Sequence, residues 1–253
     1  MIVTDKFIFI HLFRTGGSSI ISGLDGKMIG YHRPRSLIPD EYLHLPVAGN
    51  VRNPFDWYVS VYYHCLNQRY PMRTPTFLNF LIQPVGFPQK FTFNQSIRRL
   101  LDTSWMTSID KERFLSRLQP CYYWETPGHT IDNLRREEGE SYLNSNVGFL
   151  SWLFNYMYQS NGSTDGVTYT RLEDLKNHPK LNAMSGFNLN IGKIKEPRNA
   201  DYMSYYEDDL IDLILHKDND YIRRFKYDRH LMEFDKNCSG FCDGSGMVLS
   251  FEC

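Results

Sequence analysis

The chain has 253 residues and a formal net charge of -1, enough length to bury one sizeable α/β core and no global basic field of the kind nucleic-acid binders use. Hydrophobic residues make up 42% and aromatics 15%, a globular composition in which no stretch approaches the roughly 20 apolar residues of a membrane span. With no signal peptide ahead of the first strand, and with Cys65, Cys121, Cys238, Cys242 and Cys253 odd in number and irregular in spacing, a cytoplasmic protein without a disulfide framework or a metal site is expected.

The first predicted element is the unbroken apolar run Phe7-Ile8-Phe9-Ile10, which reads as a strand buried on both faces of a parallel sheet. Arg14-Thr15-Gly16-Gly17-Ser18-Ser19 follows and then Ile20-Ile21, so strand, glycine turn and helix N-terminus come in succession. Two glycines let the backbone turn sharply and approach a ligand, and Ser18 or Ser19 suits a helix cap. Backbone N–H groups and the positive end of a helix then point at one spot, which favours a phosphate or sulfate. The stretch is not a Walker A loop, because Ser18 stands after Gly17 where a lysine is needed, and the cation, Arg14, precedes the glycines. A pair of glycines after a strand also makes an ordinary tight turn, so a second site has to carry the argument.

Gly30 to Arg35 reads as a loop or short strand, and Leu45 to Val51 as a second short buried strand. Asn53 and Pro54 at its end are a favoured N-cap and a favoured first helical residue, and the helix runs through Tyr63. Arg52 thus stands on the lip of a strand with Ser60 about two turns into the helix, an arrangement that suits convergence on one phosphate. The competing reading is a structural arginine and a serine packed on the sheet.

From Gln68 to Gly166 the chain is expected to be mostly helical, with apolar spacing at Thr76 to Ile82, Asn94 to Leu101 and Lys111 to Leu118, and a core helix at Asn146 to Tyr158. The basic pairs Arg98-Arg99 and Arg135-Arg136 read as solvated faces. Asn161 to Gly166 is a loop, Val167 to Arg171 an alternating strand, and Asn190 to Ala200 a polar loop with Lys193, Lys195 and Arg198. Helices are expected from Tyr202 to His216 and from Asp218 to Phe225, and an irregular tail after Lys236. There is no internal repeat and no linker, so residues 1–253 read as one domain.

Three stretches resemble the sulfotransferases that use 3′-phosphoadenosine 5′-phosphosulfate (PAPS), and the carbohydrate-type branch in particular. Ile10 to Ser19 is similar to that family's 5′-phosphosulfate loop, P-K-T-G-G-[ST]-[ST] after a strand. Val51-Arg52-Asn53-Pro54-Phe55 with Ser60 is similar to its 3′-phosphate motif. Tyr169 to Leu175, with Tyr205-Tyr206 and Asp220 to Tyr227, matches its later elements more loosely. Phe13 and Arg14 depart from the pattern, standing where the family has proline and lysine. The resemblance covers the two ends of the chain and leaves the middle unmatched.

The resemblance implies a three-layer αβα sandwich with a mostly parallel sheet, a P-loop-like topology and a helical insertion. It implies transfer of a sulfuryl group from PAPS to a hydroxyl or amine of an acceptor, a glycan or small hydroxylated molecule, leaving the bisphosphate product PAP. Thr15, Gly16, Gly17, Ser18 and Ser19 would hold the 5′-phosphosulfate, with Arg14 on the departing phosphate. Arg52 and Ser60 would hold the 3′-phosphate, with Lys195 and Arg198 closing over it. Arginine keeps the lysine's charge but presents a planar fork. A base must take the acceptor's proton, and histidine suits neutral pH. His32, one helix after the loop, is the first candidate and His11, at the end of the first strand, the second, while His44, ahead of the second strand, is expected to face solvent. The rival functions are a P-loop nucleotide kinase, which would need the missing lysine, and a non-catalytic nucleotide-binding module.

Overall fold

The computed structural model describes residues 1–30, 32–66, 91–117, 131–177 and 201–227. Five strands form one sheet: β1 (Ile2–Val3), β2 (Ile8–Ile10), β3 (Lys27–Met28), β4 (Val47–Val51) and β5 (Val167–Arg171), in the order β3-β1-β2-β4-β5. β2, β4 and β5 are parallel, with Ile8 opposite Val47 and Val47 opposite Val167. β1 runs antiparallel to both β2 and β3, so the parallel sheet expected from sequence gains a short antiparallel margin. The reason lies in the connection. Thr4 closes a tight turn, its Oγ1 accepting from the Phe7 N–H at 2.9 Å and its own N–H donating to the Phe7 carbonyl at 3.0 Å. So short a link joins only antiparallel strands, whereas a parallel pair needs a crossover.

β2 sits at the centre of the sheet, and Ile8, Phe9 and Ile10 are all at 0% exposure. Alternate residues face opposite layers. Phe7, Phe9 and Ala48 pack with Ile20 of α1 (Gly17–Ile21), while Ile8, Ile10, Val47 and Val51 join the larger core on the other face. That larger core contains α2 (Pro54–Leu66) and the apolar α6 (Phe149–Tyr158). The result is helix, sheet, helix, an α/β sandwich in which the β2–α1 and β4–α2 units stand side by side.

Between these units and β5 lie α3 (Phe93–Leu101), α4 (Ser108–Arg117) and α5 (Ile131–Leu143), which bear out the helical character of the described part of the middle. α3 starts on a reciprocal Thr92–Gln95 cap. Three arginines of this region are engaged by neighbouring side chains. Arg98 reaches Glu207 at 2.7 Å and also Asp209, Arg99 stacks over Trp105 at 3.4 Å, and Arg136 pairs with Glu112 and Glu140. The helix expected from Tyr202 to His216 is broken into a 3-10 turn at Tyr202–Tyr205 and α7 (Asp208–Lys217). Asn94 takes up the break, donating to the Tyr205 carbonyl at 2.9 Å and accepting from the Glu207 N–H at 3.1 Å. α8 (Asn219–Phe225) closes the described chain with Tyr227 buried behind it. The expected helix at Thr76 to Ile82 and the irregular tail lie outside the described residues.

Candidate functional site

The site grows from the carboxyl ends of β2 and β4, adjacent parallel strands whose following loops open the same side of the sheet. Tyr158, buried on α6, fastens those ends together. Its hydroxyl meets the carbonyls of Ile10 at 3.1 Å and Asn50 at 3.0 Å and accepts from the Asn50 N–H at 3.1 Å. Tyr221 holds the chain two residues further on, just past the end of β4, accepting from the Arg52 N–H at 3.1 Å and donating to its carbonyl at 3.0 Å. Two tyrosines from distant helices thus fix where the functional loops begin.

After β2 the chain turns through Arg14 at φ 61° and Gly16 at φ 81°. For arginine this left-handed conformation is costly, by roughly 1–2 kcal/mol, and holds only where the surroundings enforce it. They do so here. Arg52 Nη1 donates to the Arg14 carbonyl at 2.9 Å, Asn50 Nδ2 donates to the Thr15 carbonyl, and Trp57 Nε1 donates to the Phe13 carbonyl at 2.7 Å. Thr15 is buried and its hydroxyl is committed to the Leu12 carbonyl at 2.7 Å. Gly17 is required by space: a Cβ there would stand 1.7 Å from Cδ2 of His11. Ser18 and Ser19 lie in α1, where the Ser19 N–H bonds the Gly16 carbonyl at 3.1 Å. α1 spans only Gly17–Ile21, so its dipole is short, and positive charge at the loop comes chiefly from the two arginines.

Those arginines are linked. Arg14 donates to Ser60 Oγ through both Nε, at 3.2 Å, and Nη2, at 3.1 Å. Arg52 Nε meets Asp56 Oδ2 at 2.7 Å, one turn along α2, in a largely buried ion pair. The sequence pairs Arg52 with Ser60 as phosphate ligands; in the structure Ser60 is the partner of Arg14, and Asp56 is the anion already beside Arg52. Asn53 caps α2 as expected, its Oδ1 accepting from the Phe55 N–H at 2.9 Å. Glu173 holds the other end of this corner, accepting from the Asn53 N–H at 2.7 Å and from the Tyr227 hydroxyl at 3.1 Å.

The three histidines weighed from sequence fall in different surroundings. His44 is exposed. His11 and His32 are each 3% exposed and lie ring on ring, with centroids 4.2 Å apart. His32 Nδ1 is 2.9 Å from the His11 carbonyl. Burial, reinforced by the nearby amino terminus, pulls His32 down to about 4 against the lift from that carbonyl, so the ring is neutral at neutral pH.

His64 went unnoticed in the sequence. It stands on α2 one turn beyond Ser60, and its ring meets Phe13 edge-on with centroids 5.6 Å apart. Burial and the charge of Arg14 bring it down to about 4. Its four-residue offset from Ser60 put both on one helix face, and that was the signal available. Lys195 and Arg198 lie outside the described residues. Among the described residues no group of three or more His, Cys, Asp or Glu side chains is placed to hold a metal ion, and no helix is long and apolar enough to cross a membrane.

No protein-family model and no curated protein matches the chain. Among solved structures it is similar to mouse sulfotransferase SULT7A1 complexed with PAP, at 11% sequence identity and a TM-score of 0.48, over 93% of this chain and 90% of that one. A likeness at that level carries no argument, and the functional reading rests on the residues of the site.

Proposed function

We propose that the chain is a PAPS-dependent sulfotransferase. The observation that carries the reading is the linkage of two arginines from two adjacent βα units: Arg52 on the Arg14 carbonyl, and Arg14 on Ser60. A donor with phosphate groups at both its 3′ and 5′ positions needs two cationic subsites held at a fixed separation, and this linkage supplies them. The residues fit such a donor. The left-handed turn at Arg14 and Gly16 would let backbone approach a 5′-phosphosulfate, and Arg52 stands by for the 3′-phosphate.

Sulfuryl transfer asks the protein to place donor and acceptor in line and to neutralise the charge that develops on the leaving phosphate. Arg14 would supply that charge, held in position by Ser60. Lys195 and Arg198 remain assigned to the donor on the resemblance alone. The acceptor is a hydroxylated molecule or an amine, with carbohydrates the first class to try, and residues 1–253 act as one domain.

Calorimetry with PAP and with ATP tests the donor half of this reading, and transfer of labelled sulfate from PAPS to a panel of glycans and phenols tests the other half. PAP binding without ATP binding, together with transfer, is expected. ATP binding in preference to PAP would make the chain a kinase-like protein, and PAP binding without any transfer would make it a nucleotide-binding module.

A further inference from the structure

We propose that His64 is the group that takes the acceptor's proton, an assignment that rests on the sulfuryl-transfer reading above. Phe13, the residue immediately before Arg14, has two imidazoles against its ring. His32 lies 5.7 Å away between ring centroids and His64 5.6 Å away, both edge-on. The two imidazoles differ in access. His32 is 3% exposed, its ring lies against His11 and its Nδ1 is engaged with the His11 carbonyl. His64 is only partly buried and rises from the same helix face as Ser60, the residue that holds Arg14. A general base has to come within hydrogen-bond reach of the proton it removes. Of the two, His64 is the more accessible, and it shares a helix face with the serine that holds Arg14, the group that would meet the leaving phosphate.

The charges around His64 give this placement a further property. Arg14 acts on it from the loop; His32 also meets Phe13, and Ser60 and Tyr63 are on its own helix. Burial, and after it the charge of Arg14, keep His64 a weak base. An anionic donor at Arg14 offsets that charge, so His64 becomes more basic when the donor is bound. In the transfer step the acceptor oxygen bonds to sulfur as its proton passes to a ring nitrogen of His64. The bond from sulfur to the bridging oxygen breaks, and its electron pair stays on the 5′-phosphate beside Arg14. The proton then leaves His64 to water, and the products are the sulfated acceptor, PAP and a proton.

The test uses the intact chain with PAP, PAPS and the acceptor turned over fastest in the panel, comparing His64→Gln, His64→Ala, His32→Gln and the exposed control His44→Gln. His64→Gln is expected to lower turnover by roughly 10²–10⁴-fold while PAP affinity stays close to that of the unaltered protein, and added imidazole is expected to restore part of the turnover of His64→Ala. In NMR titrations, with the ring signal assigned by its loss in His64→Gln, the titration of His64 should move to higher pH when PAP is added. Full turnover in His64→Gln would overturn the proposal, as would an unmoved titration in the presence of bound PAP. Loss of turnover in folded His32→Gln but not in His64→Gln would give the proton to His32 instead. If the unaltered protein fails to bind PAP, the sulfuryl-transfer reading itself falls, a result distinct from any of these.

Discussion

Tyr58 and Asp218, 160 residues apart in sequence, share a 2.6 Å hydrogen bond in the core and between them cap the start of α6. The N-cap of that helix is Gly148, which has no side chain to offer. Asp218 Oδ1 accepts from the Ser151 N–H at 2.9 Å, and the Tyr58 hydroxyl accepts from the Leu150 N–H at 3.3 Å. Burial pushes the Asp218 carboxyl up while these donors pull it back, and a Cβ at Gly148 would come within 2.3 Å of Oδ1. The cap therefore arrives from α2 and from the α7–α8 junction, and α6 in turn carries Tyr158 to the strand ends under the site. Tyr58→Phe leaves Asp218 with one donor fewer and is expected to lower stability by about 1–3 kcal/mol. Urea unfolding of Tyr58→Phe, Asp218→Asn and the double variant measures it. The two effects should be well short of additive, and full additivity would show that they act separately.

Gly17→Ala places a methyl group where the His11 ring lies, since the approach would be 1.7 Å to Cδ2. Overpacking of this kind costs about 1–3 kcal/mol, and displacement of the loop should weaken PAP binding as well. Thermal unfolding and calorimetry together report the two losses. Adding His11→Ala to Gly17→Ala makes room for the methyl group and should return part of the PAP affinity; no return at all would mean that the glycine serves something other than that contact.

His32 ties stability to acidity. Its folded value, about 4, lies below the ordinary 6.5. Below pH 6.5 the unfolded chain takes up a proton that the folded chain refuses, so stability is complete above that pH. It falls as the pH drops from 6.5 toward 4, by at most about 1.4 kcal/mol per pH unit, and levels off below. His64 adds a smaller effect of the same sign, screened by its partial exposure. Unfolding free energies at successive pH values should show this slope flatten in His32→Gln; an unchanged slope would mean that the imidazole titrates normally.

The two βα units were legible because their chemistry is local. An apolar run, then glycines or an Asn-Pro pair, states strand, turn and helix within a few residues, and Asn53 caps α2 as its position implies. β1 and β3 were not legible, since strands of two residues carry no periodicity. The break between Tyr205 and Asp208 was hidden for another reason: Asn94, distant in sequence, supplies the hydrogen bonds that replace the missing helical turn. In the site itself the residue types were readable and their pairing was not. Arg14, Arg52 and Ser60 all stood out, but only the positive φ of Arg14 brings its guanidinium to Ser60 and its carbonyl to Arg52. Asp56 could have been paired with Arg52 by its helical spacing. His64 lacked any motif of its own.

Arg52 is the residue at which the donor reading is most exposed to test. Its Nε is held by Asp56 at 2.7 Å and its Nη1 by the Arg14 carbonyl at 2.9 Å, so the guanidinium is oriented before any ligand arrives. If that orientation serves a 3′-phosphate, Arg52→Ala should weaken PAP binding far more than binding of AMP, which has the 5′-phosphate alone. A charged hydrogen bond to phosphate contributes about 1.5–3 kcal/mol, a loss of roughly 10- to 150-fold at 1.4 kcal/mol per decade. Arg52 also steadies the Arg14 carbonyl, so some loss for AMP is expected through the loop; Arg52→Lys separates the two effects. Lysine keeps a charge for the phosphate but cannot engage Asp56 and the Arg14 carbonyl through a planar fork at once. Arg52→Lys should therefore recover part of the PAP affinity and leave the AMP loss in place. Equal losses for PAP and AMP in both variants would make Arg52 a structural residue of the β4–α2 corner and remove the 3′-phosphate subsite from the proposal.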